Sequence, residues 1–99
     1  MIKIAKLNDV QPNKMFKASH NNREYLLANI DGEIYVMDNT CSHEDASLYN
    51  GALKGHCVEC PLHGSLFDFR NGQPDGYPAT VPISTYPVTI KNNEIYIEV

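Results

Sequence analysis

Cys41-x-His43 and Cys60-x-x-His63 constrain this chain more than any other feature. Each pair joins one thiol to one imidazole, and 16 residues lie between the pairs. Four soft or borderline ligands in this order specify a metal site. Two metals suit the set at this point. Zinc accepts two cysteines and two histidines tetrahedrally, but zinc-finger spacing pairs Cys with Cys and His with His. Iron in a sulfide-bridged cluster favours thiolate sulfur and accepts neutral imidazole.

Ninety-nine residues make one domain. A chain of this length buries roughly two-thirds of its unfolded surface, so its core is real but modest. The net charge of −4, with no basic run, argues against nucleic-acid binding. No apolar stretch approaches the ~20 residues of a membrane span. Met1-Ile2-Lys3-Ile4-Ala5-Lys6 lacks the apolar segment of a signal peptide. The expectation is a soluble, cytoplasmic protein. Three cysteines do not make a disulfide framework, because one is always left over.

The pattern along the chain is strand, turn, strand. Arg23 to Ile30 and Glu33 to Met37 flank Asp31-Gly32, a pair suited to the positive φ angles of a tight hairpin turn. A second hairpin is predicted from Val88-Thr89-Ile90 through Lys91-Asn92-Asn93 to Glu94–Val99. There Ile95, Ile97 and Val99 should face the core, alternating with Tyr96 and Glu98. Glu44 to Asn50 has room for one short helical turn at most. Prolines at 61, 74, 78, 82 and 87 keep the second half in loops and edge strands. The prediction is an all-β domain over residues 1–99, an antiparallel sandwich or small barrel. An insert of about 39–70 would supply two loops presented by short strands.

Cys41-Ser42-His43 and Cys60-Pro61-Leu62-His63-Gly64 resemble the ligand loops of Rieske-type [2Fe–2S] proteins. That resemblance covers the insert through specific motifs and the flanking strands through general pattern. It implies that Cys41 and Cys60 hold a buried iron, and His43 and His63 an outer one. It also implies a Rieske-like β fold. Two neutral imidazoles in place of two thiolates make the site less negative, so the potential lies above that of four-cysteine ferredoxins. Respiratory members carry an extra cysteine in each ligand loop and join the two in a disulfide. Ala46 and Leu62 hold those places here. Membrane-bound members usually carry an N-terminal anchor, and none is expected here from Met1-Ile2-Lys3-Ile4-Ala5-Lys6. The departures point toward the ferredoxins that serve bacterial aromatic-ring dioxygenases. An oxygenase subunit would need a second domain for catalytic iron, and the chain has no room for one.

Ser65 sits where respiratory members place a hydroxyl against a cluster sulfur, so it joins the cofactor-binding set; Phe67 stands where they often have a tyrosine. Gly64 serves either a turn needing no Cβ or a close backbone approach to the cluster. Cys57-x-x-Cys60 has the spacing of a redox dithiol, but Cys60 is already assigned. Cys57 is expected to fill a small buried site on the strand before the loop. His20 and His56 have no paired ligand and read as surface or core histidines. Phe67 and Phe69, alternating with Asp68, read as core. Gly76-Tyr77-Pro78-Ala79-Thr80 resembles the proline-containing loop that covers one side of the cluster. Glu44, Asp45 and Glu59 lie near the ligand loops and could bias docking toward a basic partner.

The expected role is a one-electron carrier, not an enzyme in itself. It would take electrons from a flavin-dependent reductase and pass them to a terminal oxygenase. Two other readings stand beside it. One is the small electron-transfer subunit of another oxidoreductase, such as a monooxygenase or a nitrite-reductase-like complex. The other is a zinc-stabilised β module that only binds a partner.

Overall fold

Three two-residue turns in left-handed backbone set most of the strand pairing. They are Asn21-Asn22 (φ 51° and 65°), Asp31-Gly32 (53° and 86°) and Asn92-Asn93 (53° and 62°). Positive φ at both central residues matches the right-handed twist of flanking strands, and Asn, Asp and Gly carry it at least cost. The first turn joins β2 (Met15–His20) to β3 (Arg23–Ile30), with His20 opposite Arg23. The second joins β3 to β4 (Glu33–Asp38), with Ile30 opposite Glu33. The third joins β9 (Val88–Lys91) to β10 (Glu94–Ile97), with Lys91 opposite Glu94. The computed structural model describes residues 1–41, 46–62, 64–75 and 81–99.

The remaining strands complete three antiparallel sheets. β1 (Ile2–Lys6) pairs with β10, giving the order β1-β10-β9. β8 (Thr85–Tyr86) adds to β4, giving β2-β3-β4-β8. β5 (Ala52–Lys54), β6 (Cys57–Glu59) and β7 (Leu66–Asp68) form the third sheet. Pro87 separates β8 from β9, so the chain changes sheet at the residue with no N–H to offer a ladder. Among the described residues two single turns of 3-10 helix occur, at Leu7–Asp9 and Leu48–Asn50. The all-β architecture agrees with the sequence reading. The second lies inside the segment expected to hold one short turn.

β3 explains how the layers are held. Tyr25, Leu26, Leu27 and Ala28 are all buried, a continuous run rather than an alternation. Both faces of the central sheet are therefore covered. Tyr25 and Leu27 join Val36, Ala5, Val10, Ala18, Ile95 and Ile97 in one core. Leu26, Ala28 and Ile30 join Met37, Leu48, Val58, Phe67, Phe69 and Ile83 in the other. Burying a side chain the size of Phe67 or Phe69 stabilises by about 1.5–3 kcal/mol. Cys41 and Cys60 belong to this second core. The first core fixes the scaffold; the second carries the insert with its two cysteine-led loops.

Two sequence expectations need correction at the C-terminal hairpin. Lys91 is a strand residue, because the two asparagines alone make the turn. Val99 is 72% exposed and lies beyond β10, so the buried alternation ends at Ile97.

Candidate metal centre

The two cysteine-led loops are built alike at their base. The first leaves β4 through Asp38, Asn39 and Thr40. There the Cys41 N–H donates to the Ala46 carbonyl (3.0 Å), and Thr40 bridges Ser47. The second connects β6 to β7, and the Cys60 N–H donates to the Ser65 carbonyl (2.7 Å). In each loop the cysteine opens the turn and reaches the carbonyl five residues on, 41 to 46 and 60 to 65. A second bond tightens the later loop, from the Gly64 N–H to the Cys60 carbonyl (3.1 Å).

Both cysteines are almost fully enclosed, Cys41 at 3% exposure and Cys60 at 2%. None of the three cysteines is in a disulfide. Two buried thiols on separate loops, set in one apolar cluster, are donors suited to soft ligation of iron by thiolate. His43 and His63 lie outside the described residues, as do Glu44, Asp45 and the segment 76–80. Among the described residues no group of three or more His, Cys, Asp or Glu side chains gathers as a metal site.

Cys57 differs from the two loop cysteines. It lies within β6, buried, opposite Asp68 of β7. Burial pushes its thiol pKa up, and the nearby Asp68 and Asp75 carboxylates push the same way. The expected role, filling a small buried site before the loop, agrees with this placement. Phe67 and Phe69 are buried as expected, and Asp68 between them turns outward to pair with Arg70 (2.7 Å). Hydrogen bonding from Arg70 holds the Asp68 carboxyl below its usual range. His56 lies edge-on to Tyr35, with ring centroids 6.2 Å apart.

Ser65 is buried where the second loop re-enters the sheet. Gly64 has a φ of +73°, and an added Cβ would meet only Glu59 Oε2 at 3.8 Å among the described atoms. Its left-handed backbone is therefore the reason for glycine in the described surroundings. Glu59 itself lies 4.0 Å from the Lys54 ammonium.

Two positions at this site carry no signal that the motif reading used. Gly51 packs its backbone on Glu59, the residue before Cys60, and an added Cβ would lie 1.8 Å from the Glu59 carbonyl oxygen. The Asn50-Gly51 pair is a turn signature that marks the position in sequence. Asn39 is fully buried, two residues before Cys41, with its side chain bonded to Ser47 and Tyr49 on the far side of the first loop and to Glu24 of β3.

The model of the Rieske [2Fe-2S] domain matches residues 1–87. The ferredoxin component of the naphthalene 1,2-dioxygenase/salicylate 5-hydroxylase systems of Ralstonia sp. is 37% identical over 97 residues. That match covers 98% of this chain and 93% of the relative. The Sphingomonas yanoikuyae B1 ferredoxin structure matches with a TM-score of 0.94 at 32% identity, over 99% of this chain and 97% of that one. A chain in the complex of reduced oxygenase and oxidized ferredoxin in carbazole 1,9a-dioxygenase matches with a TM-score of 0.90 at 31% identity. It covers 97% of this chain and 90% of its own length.

Proposed function

Because the chain belongs to the Rieske [2Fe–2S] family, we propose that it serves as the ferredoxin of a bacterial dioxygenase system acting on aromatic rings. It is an electron-transfer component rather than an enzyme, and its cofactor is one Rieske-type [2Fe–2S] cluster. Family membership thus decides between the two metals in favour of the cluster over zinc. Held in the protein, the cluster supplies a site that takes up and gives back one electron at a time.

We assign Cys41 and Cys60 to one iron and His43 and His63 to the other. The observation that carries this assignment is the matched pair of loops. Each begins with a buried cysteine and closes on its own base through a hydrogen bond five residues on. The apolar surroundings keep water from the two thiols. Ser65, buried at the loop exit, is the candidate hydroxyl donor to a cluster sulfur. Such a bond favours the more negative, reduced state.

The partners in this reading are a flavin-dependent reductase and a terminal oxygenase, both docking transiently at the ligand loops. Leu62 in the second loop is 55% exposed, which suits apolar contact there. Redox encounters of this kind bury less than ~1,200 Å². We place the protein in the cytoplasm as one domain over residues 1–99. No helix among the described residues is long and apolar enough to cross a membrane.

Anaerobic stopped-flow mixing tests the role. The reduced protein is mixed with the oxidised terminal oxygenase of a naphthalene- or carbazole-type system, and its visible spectrum is followed. Reoxidation within the turnover time of the oxygenase is expected. A protein that stays reduced with each oxygenase, while holding its full iron, overturns the dioxygenase reading.

A further inference from the structure

The two ligand loops share a base but not a frame. The second is the connection of a hairpin, and the pair Glu59–Leu66 closes it directly from both sides. The first connects β4 of the central sheet to β5 of another sheet, so no hairpin ladder spans it. Among the described residues its two stems meet at a single bridge, Thr40 to Ser47, flanked by two backbone bonds, Cys41 N–H to the Ala46 carbonyl and Leu48 N–H to the Asn39 carbonyl. A single bridge orients two stems less firmly than a continuous ladder does, so side-chain bonds at the stems matter more here.

Asn39 supplies what the ladder does not. With Ser65 it makes up the buried polar residues among those described, and it is wholly enclosed. Its Nδ2 donates to Ser47 Oγ (2.8 Å) and to Glu24 Oε1 (3.3 Å). Its Oδ1 accepts from the Tyr49 N–H (2.9 Å). Its main chain adds two more bonds. The N–H donates to the Glu24 carbonyl (3.1 Å), and the carbonyl accepts from the Leu48 N–H (2.7 Å). The partners fix which end is which, because a backbone N–H requires the oxygen and a carboxylate requires the amide. Only a carboxamide of this length meets both demands.

We propose that Asn39 is a positioning residue for the first ligand loop, clamping its exit at Ser47 and Tyr49 to the strand that carries its entrance. Glu24 on β3 anchors the clamp from the central sheet. Asn39 acts through the protein's own groups, holding the stem that carries Cys41 against Ser47, Leu48 and Tyr49 on the other stem. This rests on the assignment of Cys41 as a ligand. The second loop needs no counterpart, because the β6–β7 ladder already holds it.

The test uses the cluster-loaded protein and three variants. Asn39→Asp keeps the oxygen that faces Tyr49 and removes the amide donors to Ser47 and Glu24. Asn39→Asp with Glu24→Gln returns a donor between the two positions. Val36→Ala, in the other core, serves as a control for general loss of stability. Each is exposed to an iron chelator at temperatures set equally far below its own Tm, and bleaching of the visible absorbance is timed. Asn39→Asp should lose its cluster at least tenfold faster than Val36→Ala, and the double variant should recover most of that factor. The EPR lines of the reduced cluster should broaden in Asn39→Asp and not in Val36→Ala. Equal bleaching rates with equal line widths overturn the proposal. If Asn39→Asp does not fold, Ser47→Ala replaces it in the same comparison: faster bleaching than Val36→Ala supports the clamp, and an equal rate overturns it. A wild-type protein without iron would instead refute the ligand assignment, so the two failures are distinct.

Discussion

The two faces of the central sheet carry cores of different kinds. One face meets β1, β9 and β10 through aliphatic side chains and Tyr25, with Ile95 and Ile97 fully buried. The other meets the insert, and there Cys41 and Cys60 stand among Leu48, Val58, Phe67 and Phe69. The first core can do nothing but hold the fold. The second holds the fold and also fixes two thiols at the base of two loops. A substitution in the first should change stability alone; one in the second should change stability and cofactor together.

The sharpest contrast is among the cysteines. Cys41→Ser and Cys60→Ser should each abolish the cluster, leaving iron and acid-labile sulfide near zero in the purified protein. Cys57→Ser should keep both at wild-type content, at a stability cost of about 1–3 kcal/mol for a hydroxyl in an apolar site. If Cys57→Ser loses iron as completely as Cys60→Ser, the ligand assignment is wrong.

Large-to-small changes compare the cores themselves. Phe67→Ala should cost about 3–5 kcal/mol and Ile95→Ala about 2–5 kcal/mol, since both side chains are fully buried. Denaturant unfolding measures each cost. The visible spectrum separates them: Phe67→Ala should bleach under conditions where Ile95→Ala, equally destabilised, keeps its colour. Parallel bleaching would erase the distinction between the two faces.

Alkaline pH should act through the scaffold side. The Tyr86 hydroxyl donates to Asp38 Oδ1 at 2.6 Å, and its ring packs against the first core. Burial first, and the Asp38 carboxylate second, push its pKa up to about 12. The folded protein therefore holds the phenol proton more tightly than the unfolded chain, whose tyrosines titrate near ~10. Stability from this group is complete below the unfolded pKa and is lost as pH rises from there through the folded one. Tyr86→Phe should flatten that alkaline loss, measured by denaturant midpoints on both sides of the interval, without altering the EPR signal of the reduced cluster. An unchanged slope would remove Tyr86 from the account.

The smallest effect belongs to Ser65. If its hydroxyl donates to a cluster sulfur, Ser65→Ala should lower the midpoint potential by some tens of millivolts. One electron at about 59 mV corresponds to about 1.4 kcal/mol, and only the difference between redox states counts. An unchanged potential with the cluster intact would make Ser65 a loop residue and no more.

The motif was legible because ligand chemistry leaves few alternatives: thiol and imidazole in two close pairs point to a metal wherever they stand. The Asp31-Gly32 hairpin was legible for a similar reason, since few residues tolerate positive φ. Asn21-Asn22 makes the same kind of turn without a glycine, and the β2–β3 hairpin was not singled out. The insert's short strands were expected, but β5, β6 and β7 were not delimited, because three residues carry too little periodicity. Asn39 gave no signal at all. Its partners lie 8, 10 and 15 residues away, and nothing in a single sequence distinguishes a buried, satisfied asparagine from a loop asparagine.

The central claim is that two loops from one core bring two cysteines and two histidines to one cluster. Pulsed EPR of the reduced protein, grown with ¹⁵N-labelled histidine, measures it directly. The account predicts hyperfine coupling from two histidine nitrogens, lost together with the cluster in Cys60→Ser. A reduced, iron-loaded protein whose spectrum shows no coupled histidine nitrogen would contradict it.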